Sequence, residues 1–268
     1  MSAMWTTFGL ALALALGLMT LVWALSLLKR DAGIIDVFWG LGVVAVAWFY
    51  FFATDGFPAR KILVVTLVSL WGVRLSAHIL VRSLGRGEDY RYRAMREKHP
   101  RHFAIWSLFA IFWLQAAILW FVSAPLLAAQ RSELPVGLTW FDHAGLALFA
   151  TGFLFETIGD WQLVRFKRDP ANRGRVMQSG LWRYTRHPNY FGDALVWWGF
   201  FLIALSTPGS LWTIASPILM TFLLLKVSGV SLLEQSLSET KPEYRDYARR
   251  TSAFFPWRPR RNGGGGQG

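Results

Sequence analysis

The chain has 268 residues, 54% of them hydrophobic and 16% aromatic, with a formal net charge of +12 and no cysteine. A mean hydropathy of +0.34 is too high for a single soluble core of this length, and a soluble nucleic-acid binder would have no use for fifteen tryptophans and several unbroken apolar runs. The missing cysteines exclude disulfides, thiolate metal sites and a cysteine nucleophile.

A helix crossing roughly 30 Å of hydrocarbon needs about 20 mostly apolar residues. Segments near 6–28, 33–54, 62–82, 103–128, 140–163, 190–206 and 210–234 meet that need, which predicts an all-α integral membrane protein with seven transmembrane helices in one domain over residues 1–262. The first segment lacks a basic n-region and is longer than a signal-peptide core, so it reads as a retained span. Breaks carry turn chemistry at Asp55-Gly56-Phe57-Pro58, His99-Pro100, Ser132 to Gly137, His187-Pro188-Asn189 and Thr207-Pro208-Gly209. The Gly-rich stretch 263–268 reads as a disordered tail.

Lys and Arg set the orientation, because cytoplasmic loops retain them. One side holds Lys29 and Arg30, seven basic residues from Arg82 to Arg101, seven from Arg165 to Arg186 and seven from Lys241 to Arg261, which is 23 of the 28. The other side has Arg60, Lys61 and Arg131, while Arg74 and Lys226 fall within spans. This predicts a periplasmic N-terminus and a cytoplasmic C-terminus in a bacterial inner membrane. Much of the charge can serve only as topogenic signal and anionic-lipid contact.

Ionisable groups inside spans cost roughly 2.5–3.5 kcal/mol each, so each is a candidate functional group. They are Asp36, Arg74, His78, Glu156, Asp160, Asp193, Lys226 and Glu234, with Gln115 as a neutral companion. All but Gln115 fall in the cytoplasmic half of the seven-span arrangement. One such pair could simply lock two helices. Eight at one depth, beside two long basic loops, predict a polar cavity open to the cytosol. No His/Glu set has metal-ligand spacing, so no metal is expected.

The loops RSLGRGEDYRY, from Arg82 to Tyr92, and RFKRDPANRGRVMQSGLWRYTRHPNY, from Arg165 to Tyr190, mix Arg and Lys with aromatic faces. Guanidinium forks suit phosphate and aromatic faces can stack a ring. Neither GxGxxG nor a Walker sequence is present, so no classical soluble nucleotide fold is expected.

GLWRYTRHPNYFGDALVWWG, Gly180 to Gly199, resembles the C-terminal region of the steroid 5-alpha-reductase family (3-oxo-5-alpha-steroid 4-dehydrogenase) and its bacterial relatives. Asp160-Trp161-Gln162, LLLKVSGVSLLEQ at Leu223 to Gln235, and the Phe255-Pro256-Trp257 ending extend the resemblance; IIDVFWG, LWGVRL and GEDYRY look like the bacterial branch. The resemblance implies a membrane oxidoreductase that holds NADPH in a cytosol-facing cavity, over about residues 156–257, and reduces the C=C bond of a 4-ene-3-oxosteroid or similar hydrophobic enone. It implies cofactor contacts from Asp160, Lys167, Arg168, Arg186, His187, Asn189, Tyr190, Asp193, Trp197, Lys226, Glu234, Tyr244 and Tyr247, with Asp89 and Arg91 added. The substrate would enter from the lipid, with no nucleic acid and no obligate protein partner.

Hydride arriving at the β-carbon of an enone drives negative charge onto the carbonyl oxygen, which then needs a donor. Mammalian members are understood to use a Glu and Tyr pair. Here the second span offers Asp36 one turn before Trp39 and the third offers Arg74, with Tyr90 as an alternative donor. Arginine is a poor proton source. A rival resemblance is to isoprenylcysteine and phospholipid methyltransferases, which share the RHPxYxG stretch; there Arg186 to Gly192, Glu234 and Tyr244 would bind S-adenosylmethionine.

Overall fold

A computed structural model describes residues 2–227, 230, 234, 237 and 241–260. Among these residues the chain is helical, with no strand and one isolated bridge between Thr185 and Ser252. It divides into two compact units, Met1–His143 with Phe200–Ser216, and Ala144–Gly199 with Pro217–Gly268. The expected tail at 263–268 lies outside the described residues.

The first unit holds four helices long and apolar enough to cross a membrane. They are α1 (Ser2–Lys29), α2 (Ile34–Ala53), α3 (Pro58–Ser83) and the helix Phe103–Gln130. A short polar helix, α4 (Tyr90–Lys98), precedes the last of them, which is α5 here. On α1 a stripe of Phe8, Ala11, Ala15, Met19, Val22 and Ser26 is buried, at the three- and four-residue spacing of one helix face. Its other faces expose Leu10, Leu21 and Leu28, apolar as lipid requires.

Indole N–H groups in an apolar setting need acceptors. Trp23 donates to the Ala104 carbonyl at 2.9 Å, Trp113 to Thr20 Oγ1 at 3.0 Å and Trp120 to the Phe8 carbonyl at 2.7 Å. These three rungs join α1 to α5 in antiparallel register. α5 contains a π-helical turn, Leu108–Trp113, on the same stretch. α2 and α3 meet at glycines: a Cβ on Gly40 would lie 2.7 Å from the Gly72 carbonyl oxygen, so only Gly lets the backbones approach this closely.

The remaining helices are α6 (Trp140–Arg168), α7 (Pro188–Leu205), α8 (Leu211–Val227) and α9 (Pro242–Arg250). α6 runs 29 residues but carries Asp142, Glu156 and Asp160, α7 begins with Pro, Asn and Tyr before Asp193, and α8 is a shorter apolar helix. Among the described residues, four helices are therefore long and apolar enough to cross a membrane, where the sequence predicts seven spans. In the second unit α6 and α7 pack through glycines: a Cβ on Gly192 would meet the Glu156 N–H nitrogen and the Gly152 carbonyl at 2.4 Å, and one on Gly199 would lie 2.8 Å from Phe149 N.

Candidate functional site

In the second unit the crossing of α6 and α7 ends at Gly159, whose missing Cβ admits Pro188 and the Asn189 N–H. This close approach lets Asn189 Nδ2 donate to Asp160 Oδ1 at 3.1 Å. The next polar residue on α6, Gln162, accepts from the Leu181 N–H at 3.0 Å, and Trp182 Nε1 donates to the Gly159 carbonyl at 3.1 Å. Asp160-Trp161-Gln162 is thus the clip that holds the Gly180–Arg183 turn and the start of α7. Trp161 points outward, with the Arg165 guanidinium 5.5 Å from its ring.

The turn continues into the ion cluster. Arg186 Nε and Nη2 contact Glu234 Oε1 at 2.7 Å, and Nη1 donates to the carbonyls of Ala248 and Thr251 at 2.6 and 2.8 Å. His187 Nε2 is 3.2 Å from the same Glu234 oxygen, and its ring stacks on Tyr190 at 5.6 Å. Tyr244 and Tyr247 are buried, with ring centroids 5.9 Å apart, and the Tyr247 hydroxyl donates to the Trp182 carbonyl. Burial, then the negative charges nearby, pushes both phenols well above their ordinary value, so both stay protonated.

Arg186, an expected cofactor contact, is engaged with Glu234 and two carbonyls of the α9 end. Its acceptors lie 48, 62 and 65 residues away, and nothing in the local motif announces them. Asp160, His187, Asn189, Tyr190, Glu234, Tyr244 and Tyr247 are brought together by these bonds. Asp193 and Trp197 lie one and two turns further along α7. Lys167, Arg168 and Lys226 are exposed.

The first unit builds a second cluster. Asp89 caps α4 by accepting from the Arg91 N–H at 3.0 Å, and this start fixes the helical phase. Successive side chains are turned by about 100°, so Tyr90 faces out, 66% exposed, while Tyr92 is buried at 6%. The Tyr92 hydroxyl donates to Asp36 Oδ1 at 2.7 Å, and Arg91 Nη2 to Asp36 Oδ2 at 2.9 Å. Burial first, then the Asp36 charge, raises the Tyr92 phenol well above its usual value, so it keeps its proton. The candidate donor Tyr90 is therefore not the tyrosine that reaches Asp36. Asp89 capping a short helix, with Tyr92 one turn from Arg96, is the signal that could have found it. Trp39 stacks edge-on against Trp71, centroids 6.1 Å apart, and Arg74 sits one turn of α3 beyond Trp71. Among the described residues, no three His, Asp or Glu side chains gather as a metal-binding group.

A profile for a family described as a protein of unknown function, DUF1295, matches residues 22–251. The chain belongs to DUF1295. The matched stretch runs from within α1 to the end of α9 and includes both clusters. The chain is also similar to the uncharacterized protein C594.04c of Schizosaccharomyces pombe (strain 972 / ATCC 24843), 28% identical over 281 residues that cover 92% of this chain and 78% of that protein.

Proposed function

We propose that the chain is a membrane-embedded reductase that uses NADPH to reduce the C=C bond of a 4-ene-3-oxosteroid or similar hydrophobic enone. In this reading it spans a bacterial inner membrane seven times, with α6, α7 and α8 completing the four long helices, and its active site faces the cytoplasm. The observation that carries it is the Asp36–Tyr92–Arg91 cluster, a neutral phenol held by a carboxylate that is itself held by a guanidinium. It joins an acid to a tyrosine, the chemistry an enone reduction needs.

The second unit offers a set that fits the cofactor. Among the described residues, buried Asn189 Oδ1 has no hydrogen-bond donor, a spare acceptor that suits a carboxamide, and the buried Tyr244 hydroxyl lies against Glu234 and Arg186. Asn189, Tyr190, Asp193 and Tyr244 would hold that end, and the exposed Lys167, Arg168 and Lys226 the phosphates, beside the N-terminus of α7. Asp160, Arg186, His187, Glu234 and Tyr247 position these groups. NADPH, when bound, supplies hydride.

As hydride reaches the β-carbon, the alkene pair moves toward the carbonyl and negative charge collects on its oxygen. Tyr92 turns its O–H from Asp36 to that oxygen and stabilises the enolate as a hydrogen-bond donor, keeping its own proton. Arg91, whose burial is outweighed by Asp89 and Asp36 so that its guanidinium is held firmly charged, steadies Asp36 throughout. The α-carbon takes a proton from water, which leaves as hydroxide, as the enolate returns to the ketone.

The test is NADPH binding by near-ultraviolet absorbance, followed by NADPH oxidation with a 4-ene-3-oxosteroid. Asp193→Ala is expected to impair binding, and Asp36→Ala to bind NADPH while losing turnover; normal turnover in Asp36→Ala overturns the assignment. The gathering of Arg186, His187, Glu234 and Tyr244 also favours a second reading, S-adenosylmethionine-dependent methyl transfer. Retention of S-adenosylmethionine, with no near-ultraviolet nucleotide band, would select it.

A further inference from the structure

Beyond the end of α9 the backbone is tied back on itself, and the ties build a second concave surface in this unit. Arg186 N donates to the Ser252 carbonyl at 2.9 Å, Thr185 Oγ1 to the Phe254 carbonyl at 2.8 Å, Trp257 N to the Tyr184 carbonyl at 2.9 Å and Arg260 N to the Arg250 carbonyl at 2.9 Å. The segment 251–260 is thereby held before any ligand arrives. Along it lies a cavity of about 340 Å³ lined by Arg249, Arg250, Arg258 and Arg260 with Trp257 and the Thr251-Ser252 backbone. A second cavity of about 460 Å³, lined by Tyr184, Pro256, Trp257 and Arg258, shares two of those residues.

The two cavities differ in chemistry. The first is basic: residues 241–260 hold six Lys or Arg against Glu243 and Asp246. Among the described residues, Asp246 beside Arg249 at 3.8 Å is the one carboxylate within ion-pair distance of the four arginines. Arg250 also donates to the Asp246 carbonyl at 3.3 Å and to Gln178 Oε1 at 3.4 Å. The second cavity is walled mainly by aromatic and proline surface, and Phe255 and Trp257 stand 69% and 75% exposed beside it. Exposed Trp next to Arg, on a chain that crosses a membrane, is the composition of a bilayer interface. Uncompensated guanidinium groups bind phosphate through paired N–H donors.

We infer that the Arg249–Arg250–Arg258–Arg260 cradle, joined through Trp257 to the apolar cavity beside it, binds an anionic phospholipid. The arginines take the headgroup phosphate and the Tyr184–Pro256–Trp257 wall takes the glycerol and first acyl carbons. The joined polar and apolar cavities fit an amphiphile. A free phosphate would leave the aromatic wall unused. Arg258, Arg260 and Trp257 lie past the stretch that DUF1295 matches, and none of the four arginines is among the residues given to NADPH.

The experiment is native mass spectrometry of the full chain from mixed vesicles of phosphatidylglycerol and phosphatidylcholine. Wild type is expected to retain phosphatidylglycerol preferentially. Arg258→Gln with Arg260→Gln should weaken that retention on the order of twenty-five-fold, at about five-fold per cation. The pair Arg86→Gln with Arg101→Gln, equal in charge but in exposed loops of the other unit, should leave it intact. Trp257→Ala should weaken the lipid without abolishing it, and 10-fold excess inorganic phosphate should not displace it. An unchanged phosphatidylglycerol preference in Arg258→Gln/Arg260→Gln, an equal loss in the loop pair, or displacement by phosphate or NADPH overturns the site. Because the readout is lipid retention, failure of the reductase reading leaves it standing.

Discussion

Two carboxylates of the first unit sit against arginines, and they differ in what else can reach them. Asp142 takes Arg60 Nε at 2.8 Å on one oxygen, and Arg60 Nη2, the Thr139 N–H and the Thr139 hydroxyl on the other, with both charged side chains at 0% exposure. Thr139 in turn shares a hydrogen bond with Ser206 at 2.7 Å, and Arg60 reaches the Gly137 carbonyl at 2.9 Å. Asp36 has two donors, Tyr92 and Arg91, and keeps 28% of its side chain open. A carboxylate with four donors, sealed at 0% exposure, can only hold helices together. An acid with spare lone pairs and an open side can meet a substrate.

The contrast breaks most visibly at Arg60. Arg60→Met leaves Asp142 buried without its counter-charge and is expected to cost about 3–5 kcal/mol, read by denaturation of the detergent-solubilised protein; a loss under about 1 kcal/mol would put this pair among the exposed ones. Tyr92→Phe is expected to do the opposite. It should lower turnover about 100-fold, near 2.7 kcal/mol in barrier, while melting shifts little and NADPH affinity holds. Tyr90→Phe, on the exposed face, should change neither, and equal losses in the two would erase the assigned phase of α4.

Smaller effects sharpen the picture. Gly192→Ala places a Cβ 2.4 Å from backbone atoms of α6 and should cost about 1–3 kcal/mol, with Asn189 and Asp160 shifted and NADPH affinity reduced; an unchanged melting temperature would contradict the packing. Glu88 is the mildest case. Burial pushes its carboxyl up, but hydrogen bonds from Arg96 and the Ala32 N–H and the charge of Arg96 outweigh it and hold the group below 4.5. Its contribution, under about 1 kcal/mol, is therefore full above about pH 4.5 and fades as pH falls through the lower folded value. Glu88→Gln should melt earlier than wild type at pH 7 and match it at the acid end; a gap that widens on acidification would reverse the sign.

The legible part of the molecule was the part set by composition. Four apolar runs became four long helices almost at the expected limits, because a lipid-facing helix must be apolar on every side. Asp36 stood out for the same reason, a charge where none is cheap. What the sequence hid were partners. Arg60 looked like a stray cation of a short loop, yet its acid, Asp142, lies 82 residues on. The Tyr90/Tyr92 choice turned on where Asp89 starts a helix, and Arg186 spends its donors on Glu234 and on carbonyls at the end of α9. Long-range pairing of this kind leaves no local pattern.

The most direct measurement is transfer of the label from NADPH carrying deuterium at the nicotinamide hydride position to a 4-ene-3-oxosteroid. The reductase reading predicts one deuterium on the former β-carbon of the saturated product, made by wild type and about 100-fold more slowly by Tyr92→Phe. Product without the label, or no product while S-adenosylmethionine is bound and consumed, would contradict it.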